Sequence, residues 1–277
     1  TRMGTTLRRA HSADLPALAA LRAEAFGTDE AEARGWLQNI AGLDNVLVLE
    51  RGGEPLALLG AVPVDCGRRR GVWFSGMLTR PDARGRGVMK NLMSVCLRAY
   101  AQSGYDFAVT APGASLASRA LEGVGFQSAF PLRVVRRPVQ RSILAQASFD
   151  ALTVRRLLDA RLHYQPACVQ LPEPAMAEMV TRLYRRGMTI VSNPRGYGLY
   201  FLQGDTLHVL ELQADNDHCA DVLLQAAREK TGAVRASILL AENQTLYLGA
   251  GKRCGYGMVC FLKERFPVTD VYFRLLE

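Results

Sequence analysis

The stretch Trp73–Ala101, which reads WFSGMLTRPDARGRGVMKNLMSVCLRAYA, constrains the fold of this chain more than any other. An apolar run, Val72–Leu78, ends at a Thr-Arg-Pro break, and two glycines, Gly85 and Gly87, follow among arginines. After the glycines, apolar side chains recur at spacings of three and four, which is typical of a buried helix face. The sequence therefore predicts a strand, a tight glycine loop and a helix in succession.

The glycine loop has the properties of an anion-binding site. A loop that opens a helix presents unpaired backbone N–H groups and the positive end of the helix dipole. Arg84, Arg86 and Lys90 add side-chain charge of the same sign. Phosphate is therefore the group that this loop favours.

The charge of the chain agrees with an anionic partner but does not identify it. The net charge is +8, and residues 1–140 contain 18 Arg and Lys against 12 Asp and Glu. Such an excess fits a nucleotide-like cofactor or a nucleic acid. It fits equally well a protein that is simply rich in arginine, since only four of its 34 basic residues are lysine.

Several classes of protein are excluded by composition. No run of about 18 apolar residues is present, so no membrane span is predicted, and the N-terminal residues lack the apolar core of a signal peptide. The six cysteines form no CxxC pair and have no histidines at zinc spacing, so no metal site is predicted. Reduced thiols in a cytoplasmic protein are expected.

The first half of the chain predicts one α/β domain, residues 1–139, with the order β, α, α, β, β, β, α, β, α, β. Asp29–Ile40 is predicted as the second helix. Asn45–Arg51 and Pro55–Val64 are strands joined by Gly52-Gly53-Glu54, a hairpin sequence. Tyr105–Ala111 is the strand after the long helix, Ser115–Val124 is a short helix, and Phe126–Val139 gives one or two closing strands.

The second half, residues 140–277, predicts a degenerate copy of the same domain, without the first strand. Its predicted helices are Phe149–His163, Ala175–Arg186 and Asn216–Lys230, and its predicted strands are Met188–Ser192, Gly198–Gln203, Thr206–Gln213, Val234–Ala241, Tyr256–Lys263 and Val271–Leu276. The junction that corresponds to the glycine loop reads QADNDHCAD. It has no glycine, and Asp215 and Asp217 would repel a pyrophosphate. Only the first domain is therefore expected to bind a nucleotide.

The first half resembles a known superfamily. RPDARGRGVM, followed by an amphipathic helix, a strand, a short helix and GVGF, is similar to the GNAT acyltransferases over residues 7–138. Their pyrophosphate motif, Arg/Gln-x-x-Gly-x-Gly/Ala, corresponds to Arg84, Gly87 and, at the last place, Met89. A bulky residue there is similar to the enhanced-intracellular-survival branch, and the Met89 side chain can turn into the core. The resemblance implies two tandem copies of the acyl-CoA N-acyltransferase fold.

The same resemblance implies acetyl-CoA as the donor and a primary amine as the acceptor. The pyrophosphate would bind the backbone N–H groups of Arg84, Gly85, Arg86, Gly87, Val88, Met89 and Lys90. The pantetheine arm would lie beside the strand at Met77, Leu78 and Thr79. A backbone N–H near Met77 or Leu78 would stabilise the oxyanion of the tetrahedral intermediate.

The catalytic groups are less well defined. Direct attack by an amine needs a base and is helped by an acid. Many GNAT proteins have a tyrosine five residues before the Phe of Gly-Phe, where this chain has Leu121, which cannot donate a proton. Ser118, one turn earlier, is either a solvated serine or the ligand of a water molecule. Resemblance to the enhanced-intracellular-survival branch makes the α-carboxylate of Glu277 the predicted base.

The other candidate groups each have a structural reading as well. Asp65 and Glu50 lie near strand ends, where solvated carboxylates are usual, and the histidines are isolated: His11, His163, His208 and His218. Tyr247, Tyr256 and Tyr272 either line an acceptor pocket or belong to the core.

Three functions follow from these features. The favoured one is an acetyl-CoA-dependent N-acetyltransferase acting on a small-molecule or peptide amine, with no nucleic-acid or membrane partner. An acyl-CoA-binding module without catalysis fits the missing tyrosine. An aminoacyl-tRNA-dependent acyltransferase would use the basic surface, but no aromatic residues alternate with its arginines. The sequence specifies neither the acceptor nor the oligomeric state.

Overall fold

A computed structural model describes residues 4–112 and 118–276 of the chain. These residues form two compact units, each with a seven-stranded sheet. The first unit comprises Thr1–Ala129, Gln170–Glu178 and Gly257–Phe266, and the second comprises Phe130–Val169, Met179–Tyr256 and Pro267–Glu277. The predicted α/β architecture in two copies is confirmed.

The elements lie close to the predicted ranges. The helices in the described residues are α1 (Leu15–Phe26), α2 (Glu30–Gly35), α3 (Val88–Gln102), α4 (Ser118–Glu122), α5 (Val154–Tyr164), α6 (Glu173–Arg185) and α7 (Asp217–Thr231). The strands are β1 (Thr5–Arg9), β2 (Val46–Arg51), β3 (Glu54–Cys66), β4 (Arg69–Thr79), β5 (Phe107–Thr110), β6 (Gln127–Ala129), β7 (Leu132–Pro138), β8 (Ser148–Phe149), β9 (Thr189–Asn193), β10 (Gly196–Gln203), β11 (Thr206–Ala214), β12 (Arg235–Ala241), β13 (Lys252–Cys254) and β14 (Gly257–Phe261).

Local sequence explains how the helices of the first unit begin and end. Gly27 adopts a left-handed conformation, with φ of 65°, and ends α1. The Asp29 carboxylate accepts a hydrogen bond from the backbone N–H of Glu32 at 2.7 Å and caps α2. The predicted helix then changes character, because Trp36–Ala41 forms a π-helix. The apolar stripe of α3 is buried as predicted: Met89, Leu92, Met93, Cys96 and Leu97.

The first sheet has the strand order β1-β2-β3-β4-β5-β14-β6. Only the β4–β5 pair among these neighbours is parallel in the described residues. On one face, Leu59, Ala61 and Phe74 pack with the α3 stripe in a buried cluster. Because side chains alternate along a strand, Gly60 faces the other way, where it meets Trp36. The two faces of this sheet are therefore covered by different helices.

The second sheet repeats this arrangement. Counted from β8, its order is β8-β9-β10-β11-β12-β7-β13, and the β11–β12 pair is parallel. Its core includes Leu207, Leu223, Ile238 and Leu240, which are fully buried. The parallel pair thus occupies the same place in both sheets.

Each sheet takes one strand from the other half of the chain. β14 lies between β5 and β6 in the first sheet, whereas β7 lies between β12 and β13 in the second. The prediction that Phe126–Val139 closes the first sheet is therefore wrong for β7, and the assignment of Tyr256–Lys263 to the second half is wrong for β14. Apolar alternation locates a strand but does not specify its neighbours. For this reason the units are discontinuous in sequence, whereas the predicted domains meet at one boundary after Val139.

Shorter elements also differ from the prediction. Val271–Leu276, predicted as a strand, makes one parallel β-bridge, between Tyr272 and Cys168. The strands β8 and β13, which were not predicted, have two and three residues. Segments this short carry too few side chains for an alternating pattern to be recognised.

The six cysteines are free thiols, and five of them are buried. Burial raises the pKa of the Cys96 thiol to about 12, so this cysteine behaves as a small apolar residue of the α3 stripe. Among the helices described, none combines the length and the apolar composition that crossing a bilayer would require.

Candidate functional site

The central feature of the first unit is the point where β4 and β5 separate. The parallel pairing runs from Gly71 with Phe107 to Trp73 with Val109, while β4 continues to Thr79. The Thr110 hydroxyl donates to the Phe74 carbonyl at 2.7 Å, in place of a strand partner. The carboxyl ends of the two parallel strands therefore stop pairing at this point, which we call the cleft, and such a point is a usual place for a ligand.

A β-bulge shapes β4 at this cleft. Leu58 pairs with Leu78 and Gly60 pairs with Ser75, so two residues of β4, Gly76 and Met77, lie opposite one residue of β3. Gly76 has φ of 60°, the left-handed conformation typical of such a bulge. The bulge turns the strand locally and fixes the direction of the following backbone groups, those of Met77 and Leu78.

The glycine loop follows directly, and it begins α3 as predicted. Gly85 and Gly87 have φ of 75° and 72°, and a β-carbon on either would meet no described atom within 4 Å. Arg84, Arg86 and Lys90 are exposed around it. An open, cationic helix N-terminus of this kind has the geometry and charge that an anion requires.

The loop is fixed from both sides. The Arg84 Nε donates to the Thr79 carbonyl at 2.9 Å, which joins the loop to the end of β4. Arg80 pairs with Asp82 at 2.6 Å and with Glu54 at 3.2 Å. Met89 packs in the α3 cluster, as predicted, and so leaves the loop surface clear of its side chain.

A groove of about 400 Å³ adjoins the loop. Its lining includes Ala83, Arg86, Val88 and Asn91 from the loop and α3, and Arg51 from β2. The two arginines give the groove a positive rim.

The three residues predicted to contact the pantetheine arm, Met77, Leu78 and Thr79, are the last three of β4. Met77 and Leu78 are buried, with exposed fractions of 8% and 4%, and Thr79 is half-buried. Their side chains therefore serve the core, and any contact with a ligand at the cleft would involve the backbone.

The candidate acid positions fall on α4. Leu121 is fully buried in the α3 cluster, so it has a packing role. Ser118 is exposed at the start of α4. Residues 115–117 of the predicted short helix lie outside the described residues.

The remaining acid and histidine candidates have ordinary environments. Glu50 accepts a hydrogen bond from Arg8 at 2.9 Å, and Asp65 is exposed, with its backbone paired to Gln170. Three of the histidines are exposed and His208 is half-buried. Their positions are those of solvated or surface-paired groups, which is the structural reading of each.

The predicted base, Glu277, lies outside the described residues. The segment before it belongs to the second unit, where residues 272–276 are all buried. Tyr272 exchanges backbone hydrogen bonds with Ala167 and Val169, at 3.0 and 2.9 Å. Leu275 N–H faces the Tyr256 hydroxyl at 3.5 Å. Residues 272–276 are thus held in place by burial and by backbone hydrogen bonds.

The three tyrosines differ in their surroundings. Tyr272 is buried beside the Arg161–Glu211 ion pair, Tyr256 is half-buried against Phe273, and Tyr247 is 61% exposed. Tyr272 and Tyr256 therefore belong to the interior of the second unit.

The second unit closes the place that corresponds to the glycine loop. The Asp217 carboxylate at the start of α7 accepts hydrogen bonds from the backbone N–H groups of Tyr247 and Leu248, at 2.9 and 3.1 Å. Arg137 donates to the Leu248 carbonyl at 2.9 Å and pairs with Asp221 at 3.1 Å. The chain itself therefore supplies the anion at this helix N-terminus.

The corresponding end of the parallel pair in the second unit is also filled. The Gln244 amide donates to the Leu212 carbonyl at 2.7 Å and to the Gln213 side chain at 3.1 Å. Gln165 donates to the same Gln213 oxygen at 3.3 Å. This copy is degenerate in the sense the sequence predicted, and the open cleft belongs to the first unit.

The described residues contain no cluster of three or more His, Cys, Asp or Glu side chains arranged to hold a metal ion.

One group near the cleft was not predicted from the sequence. Arg22 of α1 stacks on Trp36, with its Cζ 3.7 Å from the ring centroid, and Trp36 meets Gly60 and Gly76. Trp36 lies within the second helix that the sequence predicted, Asp29–Ile40. A glycine inside a strand indicates that another group approaches the backbone closely. Gly60 and Gly76 therefore indicated a close contact in β3 and β4, but not that Trp36 makes it.

Comparison with known proteins identifies the class. Residues 6–126 match the family described as acetyltransferase (GNAT) domain. This part of the chain matches the GNAT domain, which supports acyl transfer as its general chemistry, and the resemblance noted from RPDARGRGVM and GVGF is confirmed. No curated protein matches the sequence significantly.

Solved structures extend the likeness over both units. A GCN5-related N-acetyltransferase from Kribbella flavida is 17% identical, with a TM-score of 0.71 over 92% of this chain and 70% of that one. One from Anabaena variabilis is 14% identical, with a TM-score of 0.73 over 94% and 73%. Eis1 from Mycobacterium abscessus is 14% identical, with a TM-score of 0.69 over 93% and 74%. The likeness to the enhanced-intracellular-survival branch is thus one of fold.

Proposed function

We propose that this protein transfers an acetyl group from acetyl-CoA to a primary amine by direct attack. The observation that carries the proposal is the open cleft of the first unit, where β4 leaves β5 beside an exposed, cationic helix N-terminus. The corresponding place in the second unit is closed by Asp217 and Gln244. The cofactor site is therefore assigned to the first unit.

The loop would hold the pyrophosphate of acetyl-CoA. The residues from Arg84 to Lys90 lead into the first turn of α3 and include three exposed cationic side chains, those of Arg84, Arg86 and Lys90. The Arg84 N–H donates to the Pro81 carbonyl at 3.4 Å, and the N–H groups that follow it would bind the phosphate oxygens. Gly85 and Gly87 leave room for phosphate oxygens to approach the backbone, since glycine places no side chain over it. Helix dipole and arginine charge act in the same direction.

The β4 backbone would hold the reactive end. The pantetheine arm would pair with β4 at Met77, Leu78 and Thr79, where β5 no longer does. An N–H at Met77 or Leu78, fixed by the bulge at Gly76, would donate to the oxyanion as it forms. A fixed donor of this kind is worth about 10²–10³ in rate.

The reaction requires a base that takes a proton from the amine, and the CoA thiolate must be able to leave. The amine attacks the thioester carbonyl, loses a proton to the base and expels the thiolate of CoA. Our proposed base is Glu277. Because Leu121 cannot protonate the leaving group, the thiolate leaves unaided, which a thiol with a pKa near 8.5 permits. The free cysteines agree with a reducing, cytoplasmic location.

Binding and turnover test the proposal separately. Calorimetry should show acetyl-CoA binding, and saturation at 100 times Kd should stabilise the fold by about 2.7 kcal/mol. A panel of amines should then release free thiol, with an acetylated product found by mass spectrometry. Absence of both binding and thiol release would contradict the proposal.

The second candidate is an acyl-CoA-binding module without catalysis. The burial of Leu121, where many GNAT proteins carry a tyrosine, favours it. Binding of acetyl-CoA with a slow thiol release that no amine accelerates would support this candidate instead. Binding of bulk tRNA that weakens with salt would point to an aminoacyl-tRNA donor.

A further inference from the structure

The groove beside the glycine loop is lined mainly by aliphatic side chains. It lies in the first unit, between α3 and the strands β1, β2 and β3, and has a volume of about 400 Å³. Small-molecule sites have volumes of about 300–1,000 Å³, so the groove is large enough for a ligand. Its aliphatic lining consists of Leu7, Leu49, Leu56, Ala83, Val88, Leu92 and Val95.

Two of these aliphatic side chains are open to solvent. Leu7 of β1 is 36% exposed and Val95 of α3 is 40% exposed, and both are large apolar residues that line the same groove. Single exposed apolar residues are common, but apolar surface that is gathered in one groove is typical of a binding site. A ligand with an apolar body would remove this surface from water, which is favourable.

The charge of the groove has one sign. Among the described residues that line it, Arg51 and Arg86 are the charged ones, and both are exposed. The side chains of these two arginines form no hydrogen bond and no ion pair with other described residues. The pKa of the nearby Asp82 carboxyl is lowered first by its hydrogen bond with Arg80 and to a smaller extent by the charge of Arg86. The guanidinium donors of the groove therefore remain available to an anion.

The groove does not include the end of β4 where we place the reacting thioester. Its lining contains none of Met77, Leu78 and Thr79. It shares Arg86 with the glycine loop, and its other charged residue, Arg51, ends β2. A ligand in the groove would therefore occupy a site of its own beside the pyrophosphate loop.

We propose that this groove binds a small carboxylate with an aliphatic body, such as a medium-chain fatty acid. The chain would cover Leu7 and Val95, and the carboxylate would accept hydrogen bonds from Arg51 or Arg86. An alkyl ammonium ion would be repelled by the two arginines. A small anion without an apolar body would leave the aliphatic walls in water. Only a molecule with both parts satisfies the whole groove.

The shared Arg86 couples this site to acetyl-CoA, and this step rests on the proposed function. A carboxylate beside Arg86 offsets a charge that the pyrophosphate would otherwise use, and it repels the phosphates. Bound carboxylate should therefore weaken acetyl-CoA binding. Acetyl-CoA should weaken carboxylate binding by the same factor, because the coupling between two binding sites is reciprocal.

Binding of matched alkyl compounds tests the site in the absence of acetyl-CoA. Equilibrium dialysis compares octanoate with octanol and octylammonium, which have the same alkyl chain, and with acetate, which has the charge without the chain. We expect saturable binding of one octanoate per chain, at least about tenfold tighter than binding of octanol. Acetate and octylammonium should not saturate at the same concentrations. Octanol or octylammonium binding as tightly as octanoate would overturn the proposal.

Two variants locate the bound octanoate. Arg51→Met removes one charge and Val95→Glu adds an opposing one at an exposed position. Each should weaken octanoate binding about tenfold and leave octanol binding nearly unchanged. The control is Arg68→Met, because Arg68 is exposed in the turn between β3 and β4 and lies outside the groove lining. It should bind octanoate like the wild type. Equal effects of Arg51→Met and Arg68→Met would place the octanoate elsewhere.

Calorimetry with both ligands tests the coupling. As octanoate is added, the apparent Kd for acetyl-CoA should rise and then reach a plateau, since the two sites are separate. A rise without a plateau would mean that both ligands compete for one site, which would overturn the separate site, and no change would overturn the role of Arg86. Failure of acetyl-CoA to bind while octanoate still binds would contradict the proposed function and leave the groove site intact.

Discussion

The Trp36 indole lies where a side chain at Gly76 would be. A β-carbon at Gly76 would approach Trp36 Cη2 to 2.3 Å, and Gly76 also has φ of 60°. Two requirements, a left-handed backbone and the close approach of a ring, thus coincide at the bulge of β4. The second requirement comes from a contact between two residues that are 40 positions apart in the chain.

Gly76→Ala should destabilise the protein by about 2–4 kcal/mol, because backbone strain and overpacking add at this position. The matched control is Gly104→Ala. Gly104 also has positive φ, at 87°, but a β-carbon there meets no described atom within 4 Å. The control should lose about 1 kcal/mol from backbone strain alone. Urea unfolding measures both, and equal losses would show that Trp36 is not a constraint.

Arg86→Glu should raise the Kd for acetyl-CoA about tenfold or more, because it places a negative charge beside the proposed pyrophosphate. Arg98→Glu is the control, since Arg98 is also exposed and belongs to the same helix, α3, beyond its first turn. It makes the same change of charge and should leave the Kd nearly unaltered. Calorimetry at two salt concentrations measures the effect, and similar weakening by both variants would argue against the loop as the site.

A fragment of residues 1–139 should not unfold cooperatively. It lacks β14, whose Met258, Val259 and Cys260 are buried and which separates β5 from β6. The same fragment with residues 257–266 appended through a flexible linker should gain cooperativity. Circular dichroism during thermal unfolding distinguishes the two, and a cooperative transition in the short fragment would contradict the exchanged strand.

Glu211→Gln should destabilise the second unit by about 3–5 kcal/mol, because it leaves the Arg161 charge buried without compensation. Arg161 and Glu211 are 4% and 1% exposed, and Arg161 Nε donates to the carboxylate at 3.0 Å. Burial opposes ionisation of Glu211, but the pairing with Arg161 lowers its pKa. Replacing both residues with methionine should cost less than the single change. An equally large loss in the double variant would mean that packing, not charge, is responsible.

Asp14 should contribute stability that disappears in acid. The hydrogen bonds from Arg8 lower the pKa of the Asp14 carboxyl from 3.8 to about 2. A depressed pKa stabilises the fold above the unfolded value and loses this effect as the pH falls through the folded value. The difference in unfolding free energy between wild type and Asp14→Asn should therefore be constant above about pH 5 and decrease towards about pH 2. Replacement of the exposed Asp270 with Asn controls for the loss of one surface carboxylate.

Local features were predictable from sequence because their causes are local. The α3 stripe follows from helical spacing, and the loop follows from Gly85 and Gly87 next to it. Met89 turned into the core because its position continues that stripe. These features also carried the family resemblance, so the class of protein was accessible from local patterns alone.

The parts that sequence could not supply depend on which distant segments meet. The sequence did not predict that β7 joins the second sheet and β14 the first, because the residues of a strand do not specify which strands pair with it. At the N-terminus of α7 in the second unit, the sequence predicted only that Asp217 would repel a pyrophosphate. In the structure this carboxylate binds the Tyr247 and Leu248 N–H groups, 30 and 31 residues away.

The sequence by itself determined that Trp73–Ala101 forms a strand, a glycine loop and a helix, since backbone geometry and apolar spacing act over a few residues. Only the tertiary structure decided what surrounds that unit. It placed β14 beside β5, set Arg22 and Trp36 against Gly76, and closed the second copy with its own chain. Such contacts depend on the packing of side chains that are far apart in sequence, and no local pattern encodes them.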